Sequence, residues 1–123
     1  MVATDAGFAD MARPAQAALL PLRADCLLTD AGTCDRAMGA TALRYVLPGR
    51  DVRCLYVRPT GDGTFSARVA ALAPDSTGNH RFDPGADPAP PTVRGLSAAD
   101  LLDFATSVIH RGTANTYADY AGR

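Results

Sequence analysis

Three stretches in the middle of the chain decide the fold: residues 41–47 (TALRYVL), 51–59 (DVRCLYVRP) and 64–72 (TFSARVAAL). Each is rich in aliphatic, aromatic and β-branched residues, which fit a pleated surface. In the third stretch, apolar residues alternate with a set that includes Arg68, so we expect one buried face and one face in water. Short turn sequences separate the stretches. Residues 42–72 are therefore predicted to form antiparallel strands.

An amphipathic helix is predicted before these strands. From Phe8 to Leu22 the apolar residues recur at steps of three and four, which is typical of a helix with one buried side. Pro14 and Pro21 interrupt the pattern, so we expect a kinked or split helix over residues 5–20. Residues 22–30 fit either a continuation of this helix or a first strand, and the sequence from Asp30 to Thr33 indicates a turn.

A second helix is predicted over residues 97–111. Ser97 is followed three residues later by Asp100, a variant of the capping box, and Gly112 follows the last turn. The stretch before it, residues 73–96, contains five prolines and three glycines and is interpreted as a long loop with one short possible strand at residues 80–82. Residues 112–123 are interpreted as a tail.

These elements predict one α+β domain over residues 1–123. Its antiparallel sheet has three to five strands, either open or barrel-like, with an N-terminal helix and a well-capped C-terminal helix. The length of 123 residues suits a single domain.

The charged residues exclude several kinds of chemistry. All 12 basic residues are Arg and all 13 acidic residues are Asp. Without lysine there is no Walker A phosphate loop and no Schiff-base lysine, and without glutamate several general-base and metal motifs are missing.

Cysteine and histidine add no recognisable site. Cys26, Cys34 and Cys54 lack the short spacing of a zinc site, and their odd number fits reduced thiols in a cytoplasmic setting. His80 and His110 are not placed in a nucleophilic motif. We therefore expect no metal, no cofactor and no enzymatic activity.

Charge is unevenly distributed along the chain. Residues 1–40 carry −2, residues 41–72 carry +3 and residues 73–123 carry −2, which together give the net charge of −1. A basic middle between acidic ends favours contact with proteins. The predicted partner-binding residues are Arg44, Arg53, Arg58, Arg68, Arg81, Tyr117 and Tyr120. Two alternatives stay open: the arginines are a solvated face of the sheet, and the tyrosines pack on their own domain.

Nucleic acid is not a predicted partner. The order helix, three strands, helix is similar to that of double-stranded RNA-binding domains. The second helix here opens with Ser-Ala-Ala-Asp, where that family presents lysines to phosphate.

Residues 8–58 resemble head-closure and related neck proteins of long-tailed bacteriophages. In that family a helix precedes a strand that begins near an aspartate, a loop with Gly and Asp follows, and a later strand carries a V-x-C step. The corresponding residues here are 8–20, 25–29, 30–39 and Val52-Arg53-Cys54. The resemblance implies a ring-forming virion component that joins head and tail without catalysis.

The sequence thus predicts a homo-oligomeric structural protein whose partners are its own copies and other assembly proteins. The alternative is a small-ligand-binding or regulatory domain with a pocket between the sheet and the 97–111 helix. Asp5, Asp10 and Arg13 break any signal peptide, and no apolar run approaches 18 residues. The expected location is the virion, or the cytoplasm if the chain is not of phage origin.

Overall fold

The computed structural model describes residues 5–34, 41–49, 53–74, 80–82 and 92–120. In chain order its elements are α1 (Asp5–Ala18), α2 (Leu20–Ala24), β1 (Thr29–Cys34), β2 (Ala42–Val46), β3 (Arg53–Pro59), β4 (Phe65–Pro74), β5 (His80–Phe82), β6 (Val93–Leu96), α3 (Ala98–Arg111) and α4 (Thr113–Asp119).

The strands form one antiparallel sheet in the order β1-β2-β3-β4-β5, and β6 also pairs with β4. β6 lies against the start of β4 and β5 against its end. The predicted α+β class and antiparallel sheet are confirmed. Within the described residues the sheet is open and is not a barrel, and with β6 it has six strands there, one more than the upper limit of the prediction.

The helices cover one face of this sheet. Alternate residues of β2, β3 and β4 point toward them, and these share one buried cluster with side chains of α1, α3 and α4. The fully buried members on the helices include Ala15, Leu101, Phe104, Ala105 and Val108. Each large apolar side chain removed from water in this way contributes about 1.5–3 kcal/mol.

The N-terminal helix splits after Ala18, and Pro14 lies within α1 without ending it. The break comes at Leu19, and Pro21 occupies the first turn of α2, where a missing backbone N–H costs no hydrogen bond. The two possibilities for residues 22–30 both apply in part, because α2 ends at Ala24 and β1 begins at Thr29.

The predicted turn from Asp30 to Thr33 is a strand with a bulge. Asp30 pairs with Tyr45 and Thr33 with Leu43, so β1 has one more residue than β2 between these pairs. Gly32 has φ +83°, and its N–H donates to the Asp30 carboxylate at 2.9 Å. The Asp30–Gly32 contact is therefore part of a bulge, and the strand continues past it to Cys34.

Two elements lie where irregular structure was predicted. β6 occupies residues 93–96 of the 73–96 stretch, and α4 occupies most of the 112–123 tail. The short strand predicted at residues 80–82 is β5. Residues 75–79 and 83–91 lie outside the described part of the chain.

The cap of α3 agrees with the prediction. The Ser97 hydroxyl accepts a hydrogen bond from the Asp100 N–H at 3.1 Å. Gly112 ends the helix with φ +91°, and its N–H donates to the Val108 carbonyl. The glycine turns the chain so that α4 can begin at the next residue.

Replacing Ser97 with Ala is expected to lower the free energy of unfolding by about 1 kcal/mol, because one N–H of the first turn loses its acceptor. Urea unfolding followed by circular dichroism measures the change. Ser107→Ala is the matched control within the same helix. It should be neutral or slightly stabilising because alanine is the better helix former. Equal losses in the two variants would contradict a capping role for Ser97.

Candidate functional site

Among the described residues, the sheet face turned away from the helices carries four arginines. They lie on four different strands: Arg44 on β2, Arg58 on β3, Arg68 on β4 and Arg94 on β6. The sequences of these four strands contain no acidic residue. We call this surface the arginine face, and it comprises Arg44, Tyr56, Arg58, Ser66, Arg68 and Arg94.

The first row of the arginine face is Arg44, Tyr56 and Arg68. These residues are direct register partners across β2, β3 and β4, so their side chains stand beside one another. Tyr56 is fully buried although no helix of the described ranges packs on this side. Tyr56 packs there with Ala42, Cys54 and Ala70 in a second buried cluster. The Arg44 Nη2 also donates to the Ala31 carbonyl at 3.1 Å.

The second row is Arg58, Ser66 and Arg94. Arg58 pairs directly with Ser66. Arg94 lies in the interval where β6 has one more residue than β4. All three residues line one surface pocket of about 370 Å³, together with Thr60 and Thr92. This row therefore brings two guanidinium groups and a mostly buried hydroxyl to one concave site.

Arg53 and Arg81 do not belong to the described arginine face. Arg53 lies on the helix side, where its Nη1 donates to the Thr113 hydroxyl at 3.0 Å and ties β3 to α4. Side chains alternate between the two faces along a strand, so Arg53 lies on the face opposite to Tyr56 and Arg58. Arg81 has its backbone in β5, and its side chain lies outside the described residues.

Tyr117 and Tyr120 pack on their own domain. Both rings meet Phe104 edge-on, with centroid distances of 5.6 and 5.5 Å. Each is less than a tenth exposed, and the Tyr120 hydroxyl donates to Asp103. Both side chains therefore follow the alternative to partner contact, which is packing within their own domain.

Tyr117 also completes the edge of the sheet. On the outer edge of β4 the pairing with β6 reaches Ala67, and the pairing with β5 begins at Leu72. In this interval the Val69 N–H donates to the Tyr117 hydroxyl at 2.6 Å. Burial raises the pKa of Tyr117 to about 12, so the hydroxyl stays neutral and supplies a strand-like acceptor from a helix.

The space between α3 and the sheet is filled by core side chains. Leu101, Phe104 and Val108 are fully buried there, at the place proposed for a ligand in the alternative reading of the sequence. A separate, mainly apolar groove of about 190 Å³ lies between α1 and the β3–β4 hairpin. It is lined by Met11, Pro14, Pro59, Gly61, Gly63, Thr64 and Phe65.

The residues considered for catalysis and metal binding are scattered. His110 is exposed at the end of α3, Cys26 is exposed after α2, and Cys54 is buried in β3. The side chains of His80 and Cys34 lie outside the described set. Within the described ranges, no group of three or more His, Cys or Asp side chains is arranged to hold a metal ion. No helix in those ranges has both the length and the apolar character needed to cross a bilayer.

Sequence reasoning missed Arg94 and Ser66. Ser66 occupies an alternate position in a predicted strand, but its partner on β6 was not visible because β6 lies in the proline-rich stretch. A usable signal exists in residues 92–96 (TVRGL). Val93 and Leu96 are both buried although they are three residues apart, a spacing that fits a strand only with one extra residue.

Comparison with family models, with curated proteins and with solved structures finds no match to this chain. The resemblance of residues 8–58 to phage neck proteins stays a prediction from the sequence.

Tyr117→Phe is expected to lower the free energy of unfolding by about 1–3 kcal/mol, because it leaves the buried Val69 N–H without an acceptor. Tyr45→Phe is the matched control. Tyr45 is fully buried, and its hydroxyl has no hydrogen-bond partner among the described residues, so removing that hydroxyl should cost nothing. Urea unfolding of both variants tests this, and equal effects would contradict a structural role for the Tyr117 hydroxyl.

Stability is also expected to fall between pH 10 and 12. Burial raises the pKa of both Tyr45 and Tyr117 from 10.0 to about 12, so the unfolded chain loses these protons first and alkaline pH favours unfolding. The contribution of these two tyrosines to the free energy of unfolding is complete below pH 10 and is lost as pH rises through 12. Unfolding free energies measured from pH 9 upward should decline less steeply in Tyr117→Phe than in the unmodified chain. Parallel pH profiles would contradict this assignment.

Proposed function

We propose that this chain is a structural assembly domain whose copies bind one another. The arginine face of one copy contacts the helix layer of the next, and other assembly proteins can use the same two surfaces. The role is contact and not catalysis. Its specific form is a ring-forming neck component of a tailed-phage virion.

The observation that carries this proposal is the separation of charge between the two sides of the molecule. The arginine face has four arginines, and its strands contain no aspartate. The helices and their caps contain five aspartates with described side chains and three arginines. These are Asp10, Asp25, Asp100, Asp103 and Asp119, with Arg13, Arg23 and Arg111.

Ion pairs within the domain occupy all three helix-layer arginines. Arg13 pairs with Asp10 at 2.9 Å, Arg23 with Asp30 at 3.6 Å, and Arg111 with Asp119. Arg58 and Arg94 have no carboxylate partner in the described part of the chain. Their charge is available to a partner, whereas each helix-layer arginine is already matched within its own domain.

Opposite charge on opposite faces favours a head-to-tail contact. In such a heterologous contact each copy uses two different surfaces, and the assembly closes into a ring or continues as a filament. Complementary potentials also guide the encounter and fix its orientation. The sequence resemblance of residues 8–58 supports the ring form and the virion neck.

Light scattering at low salt, about 50 mM, over a range of protein concentrations tests the assembly. We expect a mass above that of one chain, and a lower mass at about 1 M salt because exposed charges are then screened beyond roughly 3 Å. The double variant R58D/R94D should stay monomeric. A chain that is monomeric at every concentration and salt would overturn self-assembly.

A matched control uses the same charge change on the other side. Arg13→Asp alters an exposed arginine of α1, so it should leave assembly intact apart from losing a weak surface pair. Equal disruption by Arg13→Asp and by Arg58→Asp would point to net charge and not to the arginine face.

Mixing two defective variants distinguishes the type of interface. R58A/R94A retains the helix layer, and D10A/D25A retains the arginine face. A heterologous contact predicts that each variant alone is monomeric and that the mixture forms dimers only. Electron microscopy of the unmodified assembly should show closed rings. Open filaments would contradict the neck form while leaving assembly in place.

A further inference from the structure

The pocket around Ser66 has the chemistry of a site for a small anion. Arg58 and Arg94 stand on the strands to either side of Ser66, and all three line the pocket. Ser66 is 7% exposed, and no hydrogen bond of its hydroxyl occurs within the described ranges. The volume of about 370 Å³ lies within the range of small-ligand sites.

The bulge in β6 is what directs Arg94 into this pocket. Phe65 pairs with Leu96 and Ala67 with Val93, so two residues, Arg94 and Gly95, stand opposite Ser66. Without the extra residue Arg94 would stand opposite Ala67, on the face under the helices. Gly95 has φ +70°, a conformation that glycine adopts without strain. The strand thus keeps Val93 and Leu96 in the core while Arg94 faces outward.

Two guanidinium groups in one pocket repel each other unless an anion lies between them. No described carboxylate pairs with either Arg58 or Arg94. The nearest acidic residue in the β3–β4 hairpin, Asp62, accepts hydrogen bonds from the hydroxyls of Thr60 and Thr64, each at 2.6 Å. These bonds hold the pKa of Asp62 at about 2. Its carboxylate is therefore occupied locally, and so is the Thr60 hydroxyl.

The donors that remain suit a phosphate group. Each guanidinium offers a planar fork that matches two oxygens of a phosphate. The Ser66 hydroxyl can donate into the pocket, and Thr92, which also lines it, adds a second hydroxyl. A carboxylate has two oxygens and is matched by a single fork, whereas a phosphate has enough acceptors for both arginines and the serine.

We propose that Arg58, Ser66 and Arg94 bind a phosphate group, either as the free ion or as the phosphate of a small molecule. Arg58 and Arg94 also belong to the proposed assembly contact, but the two proposals are tested separately, because binding of phosphate is measured directly and not through oligomeric mass. A chain that binds phosphate but is monomeric at every concentration and salt would overturn the assembly proposal alone.

Titration with inorganic phosphate, followed by calorimetry and by the arginine Nε–Hε signals in NMR spectra, tests the proposal. We expect saturable binding with shifts at Arg58 and Arg94. Acetate should bind at least about tenfold more weakly, because it engages one fork only. Glycerol 3-phosphate serves as the second probe. Tighter binding of the ester assigns the site to a phosphorylated small molecule, and equal or weaker binding assigns it to free phosphate.

Single substitutions identify the residues. Arg58→Gln and Arg94→Gln should each weaken phosphate binding about tenfold, and Ser66→Ala should weaken it less. Arg13→Gln is the control, with no effect expected, and thermal unfolding verifies that each variant is folded. Absence of saturation, or equal effects of Arg58→Gln and Arg13→Gln, would overturn the proposal. So would a single-stranded oligonucleotide that binds more tightly than both phosphate probes and is insensitive to Ser66→Ala.

Discussion

Packing of α1, α3 and α4 on one face of the sheet is the interaction on which the rest of the structure depends. It buries alternate residues of β2, β3 and β4, and the pleat then leaves the intervening residues on the other face. Arg44, Arg58 and Arg68 are on that face because their neighbours in sequence are in the core. The position of each arginine is thus set by the burial of Leu43, Val57 and Val69.

Two polar contacts hold α4 in this packed layer. Arg53 reaches Thr113 at its first residue, and Tyr117 reaches the β4 backbone. Phe104 of α3 meets both C-terminal tyrosines, so aromatic packing fixes the helix pair while hydrogen bonds fix it to the sheet. Residues that looked like a polar tail with aromatic anchors are therefore part of the core of the domain.

The strands and the caps could be read from the sequence because they depend on local patterns. The alternation in residues 64–72 and the Ser97–Asp100 spacing both predict structure over a few residues, and both elements form as expected. The bulge at Asp30–Thr33 was misread because Asp and Gly also favour turns, and only the pairing with β2 distinguishes a bulge from a chain reversal. α4 was missed because its burial depends on contact between Tyr117 and Phe104 of the preceding helix, which a local sequence pattern does not show.

The residues of the candidate site also differ in whether the sequence alone predicts them. Arg44, Arg58 and Arg68 were predicted from the basic charge of residues 41–72, whereas Ser66 and Arg94 become a pair only through β6, whose pairing with β4 crosses the proline-rich stretch. Arg53 was assigned to the partner surface on charge alone. It is next to Cys54 in β3, so it lies on the helix side of the sheet and not on the arginine face. Charge in a sequence shows that a basic surface exists, and strand register decides which residues share it.

The bulge in β1 changes the properties of one edge of the sheet. β1 is the last strand on its side of the sheet in the described chain. An unpaired flat edge is a template for uncontrolled strand addition and fibrous aggregation. Gly32 bends this edge, and the carboxylate of Asp30, already bonded to the Gly32 N–H, puts a negative charge beside it. The β1 edge is therefore a poor template for the addition of a strand from another chain.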